Sequence, residues 1–187
     1  ACHFNHAFAD ATLALKEKHA LTPADIKSMT ARIHEDQSNV VCEPEVNKKR
    51  PQNAYDAQFS VHYIMSASLA RGRFTLDELE DEALGDTTIL DLCSKASYEI
   101  DPDSAYPTYY SGEVVIETTD GRRLSHREAI NRGSADNPVS PQDIEDKFFA
   151  NATRTVSEGQ ASEVRDAVMS LETHDSLSAL IDTLAAR

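Results

Sequence analysis

The sequence predicts an α+β fold: a two-layer domain with a small, mostly antiparallel sheet and packed helices, followed by a helical tail. Three observations carry this. Helical spacing governs residues 5–19 and 53–71. A period of two takes over between residues 96 and 130. From residue 140 onward only helical patterns return.

In residues 5–19, Phe8, Ala11, Thr12 and Leu15 fall at i, i+3, i+4 and i+7 and form one buried stripe, with Asn5 as the expected N-cap. Thr22-Pro23 opens a short helical turn. Residues 27–34 alternate, with Met29, Ala31 and Ile33 on one side, and read as a strand. Residues 36–52 are polar, contain Lys48-Lys49-Arg50 and end at Pro51, so a loop with one helical turn is expected. Residues 53–71 read as one long helix, apolar nearly all round and therefore buried between layers; Gly72 ends it. Thr75 with Glu78 forms a capping box for a helix over 76–84, and Asp86 caps another over 87–93. A strand follows at 96–100. Residues 113–119 and 122–130 flank Asp120-Gly121 as a hairpin. Ser140-Pro141 opens a helix carrying Phe148 and Phe149, and two more amphipathic helices follow near 157–171 and 175–185. The expected division is an α+β domain over 1–140 and a helical tail over 141–187.

Composition limits the function. The 187 residues carry 18 basic and 32 acidic side chains, a net charge of −14. So acidic a chain lacks the basic field that DNA, RNA or an anionic membrane requires. No apolar run approaches the roughly 20 residues that span a bilayer. The opening ACHFNHAFAD has neither the basic start nor the apolar core of a secretory leader, and the three cysteines, Cys2, Cys42 and Cys93, are widely spaced. These features point to reduced thiols and a cytoplasmic location. Without CxxC or HExxH, and with seven scattered histidines, no metal site is expected.

Few residues carry chemistry by spacing alone. His6 and Asp10 stand four apart on one helix face, opposite the Phe8/Leu15 stripe. A carboxylate beside an imidazole orients it for acid or base work; the alternative is an ordinary surface ion pair. Tyr63 lies mid-helix, and its hydroxyl needs a partner, either substrate or a neighbouring backbone group. Ser60 has no GxSxG around it. Arg132-Gly133 could present a guanidinium to a carboxylate, or be plain loop.

The pattern C-x-x-x-H-x-x-x-D-A (Cys2, His6, Asp10, Ala11) resembles the start of the second half of the MmgE/PrpD family. So do Pro51, Asp56-Ala57-Gln58-Phe59-Ser60, Tyr63 and Gly72, followed in order by Asp120-Gly121, Arg132-Gly133, Pro138, Ser140 and Lys147-Phe148. The resemblance covers roughly residues 2–150. It implies cofactor-independent lyase or isomerase chemistry on a small di- or tricarboxylic acid, started by proton abstraction. It also implies a lid domain set against a helical domain that the N-terminal half and the extreme C-terminus build. By this likeness His6 belongs to the lid edge of the active site and Tyr63 to an aromatic position of the FS-x-x-Y helix; the helical spacing adds Asp10 as the residue that orients His6. His62 departs from the family, which is mostly apolar or proline there. Most of the family's other catalytic residues, and a lysine in a K-x-x-P stretch ahead of Cys2, are expected outside these residues.

The expectation is therefore the C-terminal lid portion of a dehydratase resembling 2-methylcitrate dehydratase, inactive on its own, joined to an N-terminal helical domain in a homodimer. A decarboxylase or epimerase of the same family, or a non-catalytic binding or dimerisation module, are the alternatives.

Overall fold

The computed structural model describes residues 1–173 and 175–185. His174, one of the seven histidines, and the last two residues of the expected tail lie outside the described residues. The chain divides into two compact units, Ala1–Pro138 and Val139–Arg187.

The first unit is α+β. Its sheet has four strands in the order β2-β1-β3-β4: β1 (Ile26–Ile33), β2 (Ala96–Ile100), β3 (Gly112–Thr118) and β4 (Arg123–Glu128). The β1–β3 and β3–β4 pairings are antiparallel, and the latter closes over Asp120-Gly121. The β1–β2 pairing is parallel, with Met29 opposite Ala96 and Ile33 opposite Ile100. A parallel neighbour needs a long crossover, and residues 34–95 supply it as helices.

Helix α1 and the crossover helices cover one face of the sheet. α1 (His6–His19) packs on β3 and β4; α5 (Val61–Arg71) lies between α1 and α7 (Thr87–Lys95). Met29, Ala31 and Ile33 of β1 and Val114 and Ile116 of β3 meet Phe8, Leu15, Val61, Met65 and Leu69 in the main core. The other side of α5 forms a second cluster, in which Tyr63 and Ala67 meet Leu79, Ala83 and Ile89. Every residue from Val61 to Leu69 is therefore buried, as a helix apolar all round requires. Gly112 lets α1 come this close: a Cβ there would stand 2.7 Å from the Phe8 ring.

Several boundaries differ from the sequence expectation, each for a local reason. The polar stretch 36–52 holds two helices, α2 (Glu35–Val41) and α3 (Glu45–Lys48). The His34 ring caps α2, its Nδ1 accepting from Asp36 N at 3.1 Å. Lys48 Nζ ties the segment down by donating to Val40 O and Phe59 O at 2.8 and 2.7 Å. The long helix expected over 53–71 breaks at Phe59-Ser60 into α4 (Ala54–Gln58) and α5. Ser60 makes the break: its Oγ accepts from Tyr63 N at 3.0 Å and donates to Lys48 O at 2.5 Å. The helix expected over 76–84 is a 3₁₀ turn, Asp77–Leu79, and then α6 (Asp81–Leu84); the Thr75–Glu78 box is present. Asn5 holds the N-cap position of α1 but its side chain makes no capping bond: it ends a 3₁₀ turn at His3–Asn5 with helical backbone, and its buried Nδ2 donates to Gln58 O at 3.1 Å instead.

The sheet's other face is polar. Arg32, Glu113 and Arg127 are cross-strand neighbours there, and Asp101 follows β2. Arg127 donates to Asp101 at 2.7 Å and to Glu113 at 2.7 Å, and Arg32 donates to the same two carboxylates at 3.4 and 2.9 Å. Burial works against ionisation of Asp101, but Arg127, the Asp103 N–H and Arg32 together hold its carboxyl below the usual range.

The second unit contains α8 (Pro141–Ala152), α9 (Glu158–Met169) and α10 (Ser178–Ala185). Ser140 and Asp143 form a capping box for α8. Arg165 lies over the Phe149 ring at 5.5 Å, and Gln160 Nε2 donates to Thr183 O at 3.0 Å. Ala161 is the only fully buried residue described in this unit, while Ile144, Met169, Ile181 and Leu184 are exposed. No helix among the described residues is long and apolar enough to cross a membrane.

Two outcomes follow. Arg127→Met removes one charged hydrogen bond from the 1 % exposed Asp101 carboxylate and leaves it to Arg32 and the Asp103 N–H, so it should cost about 1.5 kcal/mol; denaturant unfolding measures it, and a change below about 0.5 kcal/mol would refute the network's role. The second outcome concerns His62. Burial is the largest influence on its ring and pushes it down to about 4, against the pull of Glu45 3.5 Å away. The folded ring is neutral where the unfolded one, titrating near 6.5, already binds a proton. Stability should therefore fall as pH drops from about 6.5 towards 4, and be fully present above that window. Thermal melts between pH 7 and 5 should show this slope, and His62→Leu should flatten it.

Candidate functional site

Three segments of the first unit meet around the start of α1. The first is the segment from Cys2 into α1, which presents His3, His6 and Asp10. The second is the loop between β2 and β3, with Tyr106 and Tyr110. The third is the loop after β4, with Asn131 and Arg132.

Local structure explains each placement. Cys2 N donates to Gln58 O at 2.9 Å, and Asn5 Nδ2 donates to the same carbonyl, so the segment before α1 is pinned to the end of α4. Phe4 lies edge-on to Tyr106 at 5.8 Å and tilted against Tyr110 at 5.4 Å, which seats that segment on the β2–β3 loop. The post-β4 loop closes on itself. Gly133 takes φ +92°, its N–H donates to Asn137 O at 2.7 Å, and Asn137 Nδ2 donates to Ile130 O at 2.9 Å. That turn aims Arg132 at α1, where its guanidinium donates to Asp10 Oδ1 at 3.4 Å.

The resulting surface is rich in proton-handling groups. His6 is exposed; its Nε2 lies 3.4 Å from Ala1 O, and its ring centroid is 5.0 Å from that of His3. His3 is also exposed and stands edge-on against Tyr110 at 4.4 Å. Asn131, 5 % exposed, bridges Tyr110 N and His3. Two imidazoles, a guanidinium and a half-buried carboxylate can bind a carboxylate and pass a proton beside it. Among the described residues no three His, Cys, Asp or Glu side chains cluster as a metal site.

The sequence-derived candidates divide between two places. His6 and Asp10 belong to this surface, and Arg132 joins them. Tyr63 belongs to the second core cluster on the far side of α5. It is fully buried and donates its hydroxyl proton to Glu78 O at 2.7 Å, so a backbone group is its partner, and burial raises its ionisation well above the ordinary phenol range. Sequence reasoning did not single out His3, Asn131, Tyr106 or Tyr110 for this site. His3 was visible only as a neighbour of His6. The other three come from distant loops with no shared spacing. A shallow cavity of about 610 Å³ lies elsewhere, lined by Lys16, Glu17, Leu21 and Gly72 at the other end of α1.

Comparison with known proteins identifies the family. The model of the MmgE/PrpD C-terminal domain matches residues 1–173, and the chain belongs to that family. Curated relatives include cis-aconitate decarboxylase of Mus musculus, 28 % identical over 183 residues, and cis-aconitate decarboxylase of Homo sapiens, 27 % identical over 186. These alignments take in 94 % and 96 % of this chain but 36 % and 37 % of the relatives, so the chain spans little more than a third of their length.

Tyr63→Phe should lower stability by about 1–2 kcal/mol, because the buried Glu78 carbonyl loses its donor. Chemical denaturation gives that figure. A Tyr63→Phe protein as stable as the parent would show that the bond contributes nothing.

Proposed function

We propose that this chain is the C-terminal portion of a cofactor-independent lyase that transfers a proton beside a carboxylate of a small tricarboxylic acid. The observation that carries the reading is the grouping of His6, Asp10 and Arg132 on one surface, in a chain of the MmgE/PrpD family. His6 is the proton carrier. Asp10, one turn further along α1 on the same face, is the positioning carboxylate. Arg132 shares its charge between Asp10 and a substrate carboxylate.

Two reactions are open to such a site. In decarboxylation the C–C bond to a carboxyl group breaks, carbon dioxide leaves, and the electron pair left on carbon takes a proton from His6. In dehydration a base removes a proton next to a carboxylate, and the neighbouring hydroxyl leaves with a proton as water. The relatives named above are decarboxylases of cis-aconitate, which makes cis-aconitate the first substrate and 2-methylcitrate, the dehydratase substrate, the second. The remaining catalytic groups come from the helical body that this chain joins as a lid, and the 187 residues alone are inactive.

The test uses the complete protein that carries this chain. His6→Ala should lower kcat by about 10²–10⁴-fold, the range for a lost general acid or base, and Asp10→Asn should be milder. Folding should change little, since His6 is exposed. Parental kcat and KM in His6→Ala, with both acids supplied, would remove His6 from the chemistry.

A further inference from the structure

Asn131 holds one histidine of this surface in a single hydrogen-bonding state. Its amide orientation follows from its partners. Tyr110 N reaches Asn131 Oδ1 at 3.0 Å, and a backbone N–H only donates, so that atom is the carbonyl oxygen. The other amide atom, Nδ2, therefore faces His3 Nε2 at 3.1 Å. An amide nitrogen also only donates, so Nε2 accepts. The ring then carries its proton on Nδ1. That Nδ1–H has no hydrogen-bond partner among the described residues, although His3 is exposed and its ring lies 5.0 Å from that of His6. Asn131 is itself nearly buried, and Tyr110 closes on the His3 ring edge-on at 4.4 Å, so the ring has little freedom to turn.

We propose that His3 is a substrate-binding residue of the same site, giving its Nδ1–H to a carboxylate oxygen of the tricarboxylic acid, and that Asn131 is the positioning residue that fixes this tautomer. The proposal rests on the lyase reading for the identity of the ligand. The division of labour is chemical: His6 exchanges a proton, while His3 offers a fixed donor and Arg132 a charge. A bound acid with several carboxylates meets both His3 and Arg132 from adjacent loops.

Two measurements on the complete protein test it, and neither needs turnover. Nitrogen-15 NMR of the imidazole groups should show His3 as the Nδ1–H tautomer in the parent. Asn131→Asp keeps the oxygen that accepts from Tyr110 N but faces His3 with an acceptor, so it should move the proton to Nε2. An Nε2–H signal in the parent would overturn the role of Asn131. Binding of tricarballylate, an unreactive tricarboxylate, is measured by calorimetry. His3→Gln puts its amide where Nε2 stood and should weaken binding about ten- to a hundredfold, the scale of one hydrogen bond to a charged group. His3→Asn puts an N–H where Nδ1 stood and should recover most of the loss. Equal affinities in parent, His3→Gln and His3→Asn would overturn the role of His3, even in an enzyme that His6→Ala inactivates. Weakened binding in His3→Gln and recovery in His3→Asn would support it, even in a protein that turns over neither cis-aconitate nor 2-methylcitrate.

Discussion

The contact between the Phe8 ring and Gly112 sets the geometry on which the site depends. Phe8 is fully buried near the start of α1, and Gly112 opens β3. With no Cβ at Gly112, the ring lies on the strand's backbone, and α1 comes down on β3 and β4 at its N-terminal end. That end carries His3, His6 and Asp10. The loops on either side of the β3–β4 hairpin carry Tyr110 and Asn131-Arg132. A helix docked a few ångströms higher would separate His3 from Asn131 and Asp10 from Arg132. Close packing in the core and hydrogen bonds at the surface are therefore one arrangement.

The two faces of the sheet have different tasks. The apolar face meets α1, α5 and α7 and holds the fold together through burial. The polar face is held by alternating charge, with two arginines and two carboxylates satisfying one another across three strands and the loop after β2. The fold also retains buried polar groups that find no hydrogen bond among the described residues: both amide atoms of Gln37, Oδ1 of Asn5 and the ring nitrogens of His62. Each opposes folding. Gln37 and Asn5 lie on α2 and the 3₁₀ turn that leads into α1, segments that pack together beneath the histidine surface.

Cys42 and Cys93 are buried, and burial raises them to about 12 and about 11, which leaves them inert thiols.

Much of this was legible from residue spacing, because spacing reports which face of an element is buried. The alternation of Met29, Ala31 and Ile33, the stripe Phe8-Ala11-Thr12-Leu15, the all-round apolar α5 and the Asp120-Gly121 turn each stand where periodicity places them. The family resemblance, carried by motifs in series, was legible too. His6 and Asp10 were visible as candidates because four residues on a helix make one face. Tertiary structure decided what spacing cannot encode. It broke 53–71 at Ser60, because that hydroxyl has Lys48 O within reach, and it turned Asn5 inward to Gln58. It paired β2 parallel to β1, a choice made by the crossover helices and not by either strand. It put Tyr63 on a backbone carbonyl and brought Asn131 and Arg132 to His3 and Asp10 across more than a hundred residues of chain. Local sequence specifies which side of an element is apolar; which distant polar groups then meet depends on how the buried faces dock.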